Sequence, residues 1–168
     1  AVCEAWLGWE AQRRPNIARV LIEEKAAYDF TLADDSSFRL SATADRIEKL
    51  NDGSYVVIDY KTGTPPSKKM VEVGFAPQLT LEAEMIRQGA FGGVESAEVS
   101  NALYVKLGGA EGVEDKDIIE KKAGKTVADL GGEHMEGLRE LLNQFRDPQF
   151  PYVPRPYPQY ESRSTTYD

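Results

Sequence analysis

The sequence predicts a mixed α/β domain of the α+β kind, with a central mixed four-stranded sheet flanked by helices. Three observations lead there. Ile17–Leu32, Phe38–Leu50, Tyr55–Tyr60 and residues 98–107 have the β-branched, aromatic and alternating content of strands. Pro77–Gln88 and Glu133–Arg146 read instead as helices. With a further helix at the start, the order is α-β-β-β-α-β-α, which suits a mixed sheet covered by helices.

The elements follow in turn. Residues 1–13 carry Trp6, Leu7 and Trp9 among Ala and Glu, and this helix stops near Pro15. The first strand holds Val20, Ile22, Tyr28 and Phe30, and Asp34 to Ser37 form a turn cluster. Asn51, Asp52 and Gly53 join the second and third strands as a hairpin. The third strand, Tyr55–Tyr60, is apolar on both faces until Asp59, as a central strand should be. Gly63, Pro65 and Pro66 end it and open a loop with Ser67, Lys68 and Lys69. Pro77 suits the first turn of the next helix and Gly89 its C-terminal cap. Gly108 to Lys125 reads as a polar loop or mobile insertion. The last helix repeats Met135, Leu138, Leu141, Leu142 and Phe145 on one face. Residues 1–147 thus form one domain, and 148–168 a Pro-rich, extended tail.

Bulk properties narrow the function. The 168 residues suffice for one core, and 41% hydrophobic with 29% charged residues is an ordinary globular balance. No apolar run nears the roughly 20 residues of a membrane span. The first residues lack a secretory pattern, and the single cysteine, Cys3, suits a cytoplasmic setting. One cysteine also excludes a four-cysteine zinc or iron–sulfur site within the chain. The net charge of −8 argues against a simple nucleic-acid-binding module, but acidic residues are what a divalent cation requires.

The chemistry concentrates between Ala44 and Gln78. Asp59 and Lys61 lie two apart on a strand and share a face. A carboxylate buried there costs several kcal/mol or more unless it is compensated. If residues 51–53 form a three-residue turn with Gly53 left-handed, Leu50 pairs with Ser54 and Asp45 stands opposite Asp59. Like charges facing across a ladder are destabilising unless a cation lies between them, and Mg²⁺ or Mn²⁺ suits such oxygens. A two-residue turn would set Asp45 against Tyr60 instead. Gln78, in the first turn of a helix, and Glu24, on the first strand beside a competing Glu23, are further candidates. His134 reads as an exposed residue at a helix start. Arg46, Lys61, Lys68 and Lys69 are the basic groups near the motif that could meet phosphates.

Ala44-Asp45-Arg46-Ile47, Ile58-Asp59-Tyr60-Lys61-Thr62-Gly63 and Pro77-Gln78-Leu79, in that order, resemble the RecB-like branch of the PD-(D/E)XK nucleases. The run from Asp59 to Glu82 is most similar to the C-terminal nuclease domain of alphaproteobacterial AddB-type proteins, subunits of a helicase–nuclease that processes double-strand breaks for homologous recombination. The resemblance is good over about residues 17–107 and weak at the flanks. It implies a restriction-endonuclease-like core and an Mg²⁺-dependent exonuclease acting on linear duplex ends and single strands, beside an AddA-type subunit. Asp45, Asp59 and the Tyr60 carbonyl would hold the metal, and Lys61 would orient the attacking water. Gln78 and Glu24 match the family's helix glutamine and first-strand acid.

Two departures qualify this. Many relatives carry an iron–sulfur cluster, which one cysteine cannot build, and a metal-binding histidine on an upstream helix, whereas no histidine precedes Asp45. With a start other than Met, the chain reads as a piece of a longer protein, weakly active or inactive alone. The competing function is a nuclease fold that no longer cuts and serves DNA-end binding or subunit docking. Two facing carboxylates argue against it, since a scaffold has no use for them.

Overall fold

The computed structural model describes residues 2–110, 112–119 and 124–151. Helix α1 spans Val2–Arg13 and ends in a short 3₁₀ turn at Arg14–Asn16. Strands β1 (Ile17–Thr31), β2 (Ser37–Leu50) and β3 (Tyr55–Lys61) follow, then helices α2 (Lys68–Glu72) and α3 (Gln78–Arg87). Strands β4 (Val99–Leu107) and β5 (Val113–Asp117) and helix α4 (Val127–Arg146) complete the order. The five strands form one sheet in the order β1-β2-β3-β4-β5, antiparallel throughout except for the parallel pair β3–β4. The mixed sheet with covering helices is the architecture expected, but with five strands rather than four.

The β2–β3 turn sets the register on which the candidate site depends. Leu50 N–H donates to the Ser54 carbonyl at 2.8 Å, and Gly53 is left-handed with φ +88°. Lys49 pairs with Tyr55, Ile47 with Val57 and Arg46 with Ile58. The same count carries Asp45 to the position opposite Asp59.

Alternation then sorts side chains onto two faces. On one face Ile47, Tyr55, Val57 and Ala102 pack with Leu79, Ala83, Met85 and Ile86 of α3 and Val127 and Met135 of α4. Fully burying an aliphatic side chain of this size contributes about 1.5–3 kcal/mol. On the other face Val56, Ile58, Leu103 and Val105 are covered by Trp6 and Trp9 of α1. There Glu48, fully buried, pairs with Arg13 and with Arg46, whose Nη2 lies 2.8 Å from both Glu48 and Glu10. Buried charges need such partners, and losing one costs about 3–5 kcal/mol.

Helix α4 begins earlier than its apolar repeat indicates. Thr126 and Asp129 form a reciprocal capping box, and the helix runs on through Gly131 and Gly132. Gly131 is where α4 meets α3: a Cβ there would lie 2.9 Å from the Thr80 carbonyl oxygen. The loop expected from Gly108 to Lys125 contains β5, whose charged sequence pairs, among the described residues, with β4 alone. The loop expected after Gly63 gives way at Lys68 to α2, capped by Ser67, whose hydroxyl accepts from Met70 N–H. The tail expected from residue 148 lies, from 152 onward, outside the described residues. No helix among the described residues is long and apolar enough to cross a membrane.

Candidate active site

Asp45 and Asp59 occupy facing positions of β2 and β3 on the face covered by α3. The ladder stops one pair before them, at Arg46 and Ile58. Beyond it, the Tyr60 N–H donates to Asp45 Oδ2 at 3.0 Å, so a carboxylate takes the place of a backbone acceptor. The β1–β2 ladder likewise skips the Glu23–Asp45 pair, between Ile22–Arg46 and Glu24–Ala44. Glu23 adopts φ +54° there, a left-handed conformation costing a non-glycine residue about 1–3 kcal/mol. Asp45 therefore sits where the paired positions of both neighbouring ladders are interrupted.

Asp59 is 3% exposed, and its burial is offset on both oxygens. Gln78 Nε2 donates to Oδ1 at 2.8 Å, and the Lys61 ammonium lies 2.7 Å from Oδ2. Apart from that ionic contact, Oδ2 has no hydrogen-bond partner among the described residues. The phenol ring of Tyr104, opposite Asp59 on β4, lies under the Lys61 ammonium, 5.8 Å from Nζ to the ring centre. Burial and the charges of Asp59 and Glu82 push the Tyr104 hydroxyl up to about 12, so it stays protonated.

Glu82 is the residue that reading the sequence missed. It follows Gln78 by four positions, on the same face of α3, and accepts from Gln78 Nε2 at 3.2 Å. Burial, with the negative Asp59 and Asp45 adding to it, raises its carboxyl to about 7, against the Gln78 hydrogen bond and the positive Lys61. The available signal was Q-x-x-x-E in a helix already carrying a site candidate. Beside this pair, a cleft of about 250 Å³ opens between α3 and β2, lined by Leu40, Ala42, Thr43, Gln78, Leu81 and Glu82.

The remaining candidates are placed differently. Glu24 is half-buried where Glu23 is exposed, and its carboxylate lies against Gly93, without a hydrogen bond to Asp45, Asp59 or Lys61. The Tyr60 side chain faces α1, where Trp6 packs edge-on at 5.3 Å, so only its backbone borders the site. Arg46 is buried on that same reverse face and cannot meet a phosphate at the site. His134 is not an exposed residue at a helix start but lies inside α4, half-buried, with Nδ1 2.7 Å from the Thr80 hydroxyl. Lys68 and Lys69 stand exposed at the start of α2. Cys3 is exposed on α1.

The chain is 34% identical over 88 residues to an uncharacterized protein of Rickettsia bellii (strain RML369-C), covering 52% of this chain and 10% of that one. It is 30% identical over 106 residues to an uncharacterized protein of Rickettsia typhi (strain Wilmington), covering 60% of this chain and 12% of that one. The chain thus spans about a tenth of the length of these relatives. Among solved structures, that of SSO0001 is similar over 81% of this chain and 56% of its own, with a TM-score of 0.41 and 15% identity. Residues 1–160 match the PD-(D/E)XK nuclease superfamily, and the chain belongs to it.

Proposed function

We propose that this chain is a metal-dependent DNA exonuclease domain acting in double-strand break repair, within an AddAB-type helicase–nuclease. The observation that carries the reading is the in-register facing of Asp45 and Asp59, with Lys61 on the same strand face. The helicase–nuclease context rests on the resemblance of the Asp59–Glu82 run to AddB-type domains, and long relatives suit a domain of a large polypeptide.

The donor set suits Mg²⁺, with Mn²⁺ as a substitute. Asp45, Asp59 and the Tyr60 carbonyl would hold it, and the buried Asp59 Oδ2, which has an ionic contact with Lys61 but no hydrogen bond among the described residues, keeps lone pairs that such an ion could use. No group of three His, Cys, Asp or Glu side chains suited to a metal occurs among the described residues. Mg²⁺ commonly keeps several waters and takes one or two carboxylates plus substrate phosphate, so such a group is not required. When bound, the ion would lower the pKa of water and polarise the phosphodiester.

The protein's own groups do the rest. Gln78 holds Asp59 Oδ1 and fixes the carboxylate plane. Lys61, held between Asp59 and the Tyr104 ring, orients the attacking water and meets charge developing on the phosphate. The reaction is phosphodiester hydrolysis leaving a 5′-phosphate and a 3′-hydroxyl. The test is cleavage of linear DNA by the longer polypeptide that contains this chain. Asp59→Ala and Lys61→Ala should each lower the rate by orders of magnitude while leaving folding and unwinding intact. Undiminished cutting by either variant would overturn the reading in favour of a scaffold module.

A further inference from the structure

Helix α3 turns its face of Leu79, Ala83, Met85 and Ile86 into the core, and Glu82 is buried beside them. An ionisable group is costly there, and an apolar residue would pack at less expense. What Glu82 receives is one N–H of Gln78, whose nitrogen donates at 3.2 Å to Glu82 Oε1 and at 2.8 Å to Asp59 Oδ1. A primary amide has two N–H groups, and here both go to carboxylates. Turning the amide over would put its carbonyl oxygen against two acceptors. With both carboxylates ionised, that exchanges two charge-assisted hydrogen bonds for two repulsive contacts, so the orientation is set by the pair. Asp59 alone would supply only half of that preference. Either protonation state of Glu82 keeps an oxygen able to accept.

We propose that Glu82 is a positioning residue that locks the Gln78 amide onto Asp59 Oδ1, so that Asp59 presents Oδ2 beside Lys61. The inference deepens the nuclease reading and, for its effect on cleavage, rests on it. Glu82 touches neither substrate nor reacting atoms in this role, and it acts through Gln78.

The test has two arms. In ¹⁵N-labelled chain, the Gln78 side-chain amide is identified by its loss in Gln78→Ala. Glu82→Ala should shift one of its two proton signals toward the free-amide position, and Glu82→Gln, which retains an acceptor, should restore it. Glu82→Met, similar in length and lacking an oxygen, replaces the alanine variant if that one does not fold. An unmoved Gln78 signal in the variant without an acceptor overturns the proposal. The second arm is Mg²⁺-dependent DNA cleavage by the longer polypeptide. Glu82→Ala should lower kcat about tenfold or more with KM for DNA unchanged. Glu82→Gln should recover most of this, and Glu82→Ala should add nothing in a Gln78→Ala background. An independent, multiplicative loss in the double variant also overturns it. If the wild-type polypeptide cuts no DNA, the nuclease reading fails, and the amide signals still decide whether Glu82 positions Gln78.

Discussion

Two buried carboxylates, Asp59 and Glu82, share one amide but not one fate. Asp59 has Lys61 in ionic contact as well, whereas Glu82 is hydrogen-bonded to Gln78, feels Lys61 from further off, and is raised by burial to about 7 from an ordinary 4.5. A carboxyl whose pKa rises on folding binds more protons folded than unfolded between those values. It therefore destabilises the fold progressively as pH climbs from 4.5 to 7, and by a constant amount above. In metal-free protein, Glu82→Gln should gain stability over wild type at pH 8, by up to about 3 kcal/mol, and almost none at pH 4.5. Urea unfolding at both values checks this, and an equal difference at each would assign the titration elsewhere. A structure with Mn²⁺ should place an ion about 2.1 Å from oxygens of both Asp45 and Asp59. An anomalous map checks that, and density elsewhere would remove the metal assignment. At this scale the facing aspartates were legible, because turn length fixes register and register fixes faces. Glu82 was not, because burial of a helix glutamate depends on what the helix packs against.

Among the elements, α4 shows how glycine can mislead. The apolar repeat starts the last helix at Glu133, after two glycines, yet Gly131 and Gly132 both lie inside α4. They differ in surroundings: a Cβ at Gly131 would meet the Thr80 carbonyl at 2.9 Å and Glu84 Cβ at 3.2 Å, and one at Gly132 meets nothing within 4 Å. Gly131→Ala should therefore force α3 and α4 apart and cost about 1–3 kcal/mol. Gly132→Ala should stabilise by up to about 1 kcal/mol, through helix propensity alone. Thermal unfolding of the two variants checks the pair, and equal effects would refute the close contact. Strands β1 to β4 were legible to within a residue or so at each end, because apolar runs and turn residues mark them. Strand β5 was not, because Val113-Glu114-Asp115-Lys116-Asp117 has no apolar alternation and owes its form to the edge of β4. Helix α2, five residues long, is held by a Ser67 cap and the burial of Val71, which no propensity window detects.

For the molecule as a whole, the net charge of −8 opposes the approach of DNA. Arg46 faces away from the site, where Lys61 on β3 has Lys106 of β4 paired beside it, and Lys68 and Lys69 stand exposed on α2. Alone, the chain should bind linear duplex DNA more weakly than about 10⁻⁴ M at physiological salt and cut it little or not at all. Fluorescence anisotropy and a digestion assay in Mg²⁺ and Mn²⁺ check this, and vigorous cutting would show that no further DNA-gripping surface is needed. The turn at Asn51–Gly53 has a consequence of another kind. Two strands agree on where Asp45 and Asp59 meet only because three residues lie between Leu50 and Ser54. Position 53 needs a left-handed residue, and Asn51 and Asp52 bond the Pro15 carbonyl and Ser54 through their side chains, but the turn's length is the stricter constraint. Losing a single codon there would leave every candidate side chain encoded and bring Asp45 against the wrong residue of β3, so among descendants of this sequence substitutions in the turn should be tolerated while insertions and deletions are purged.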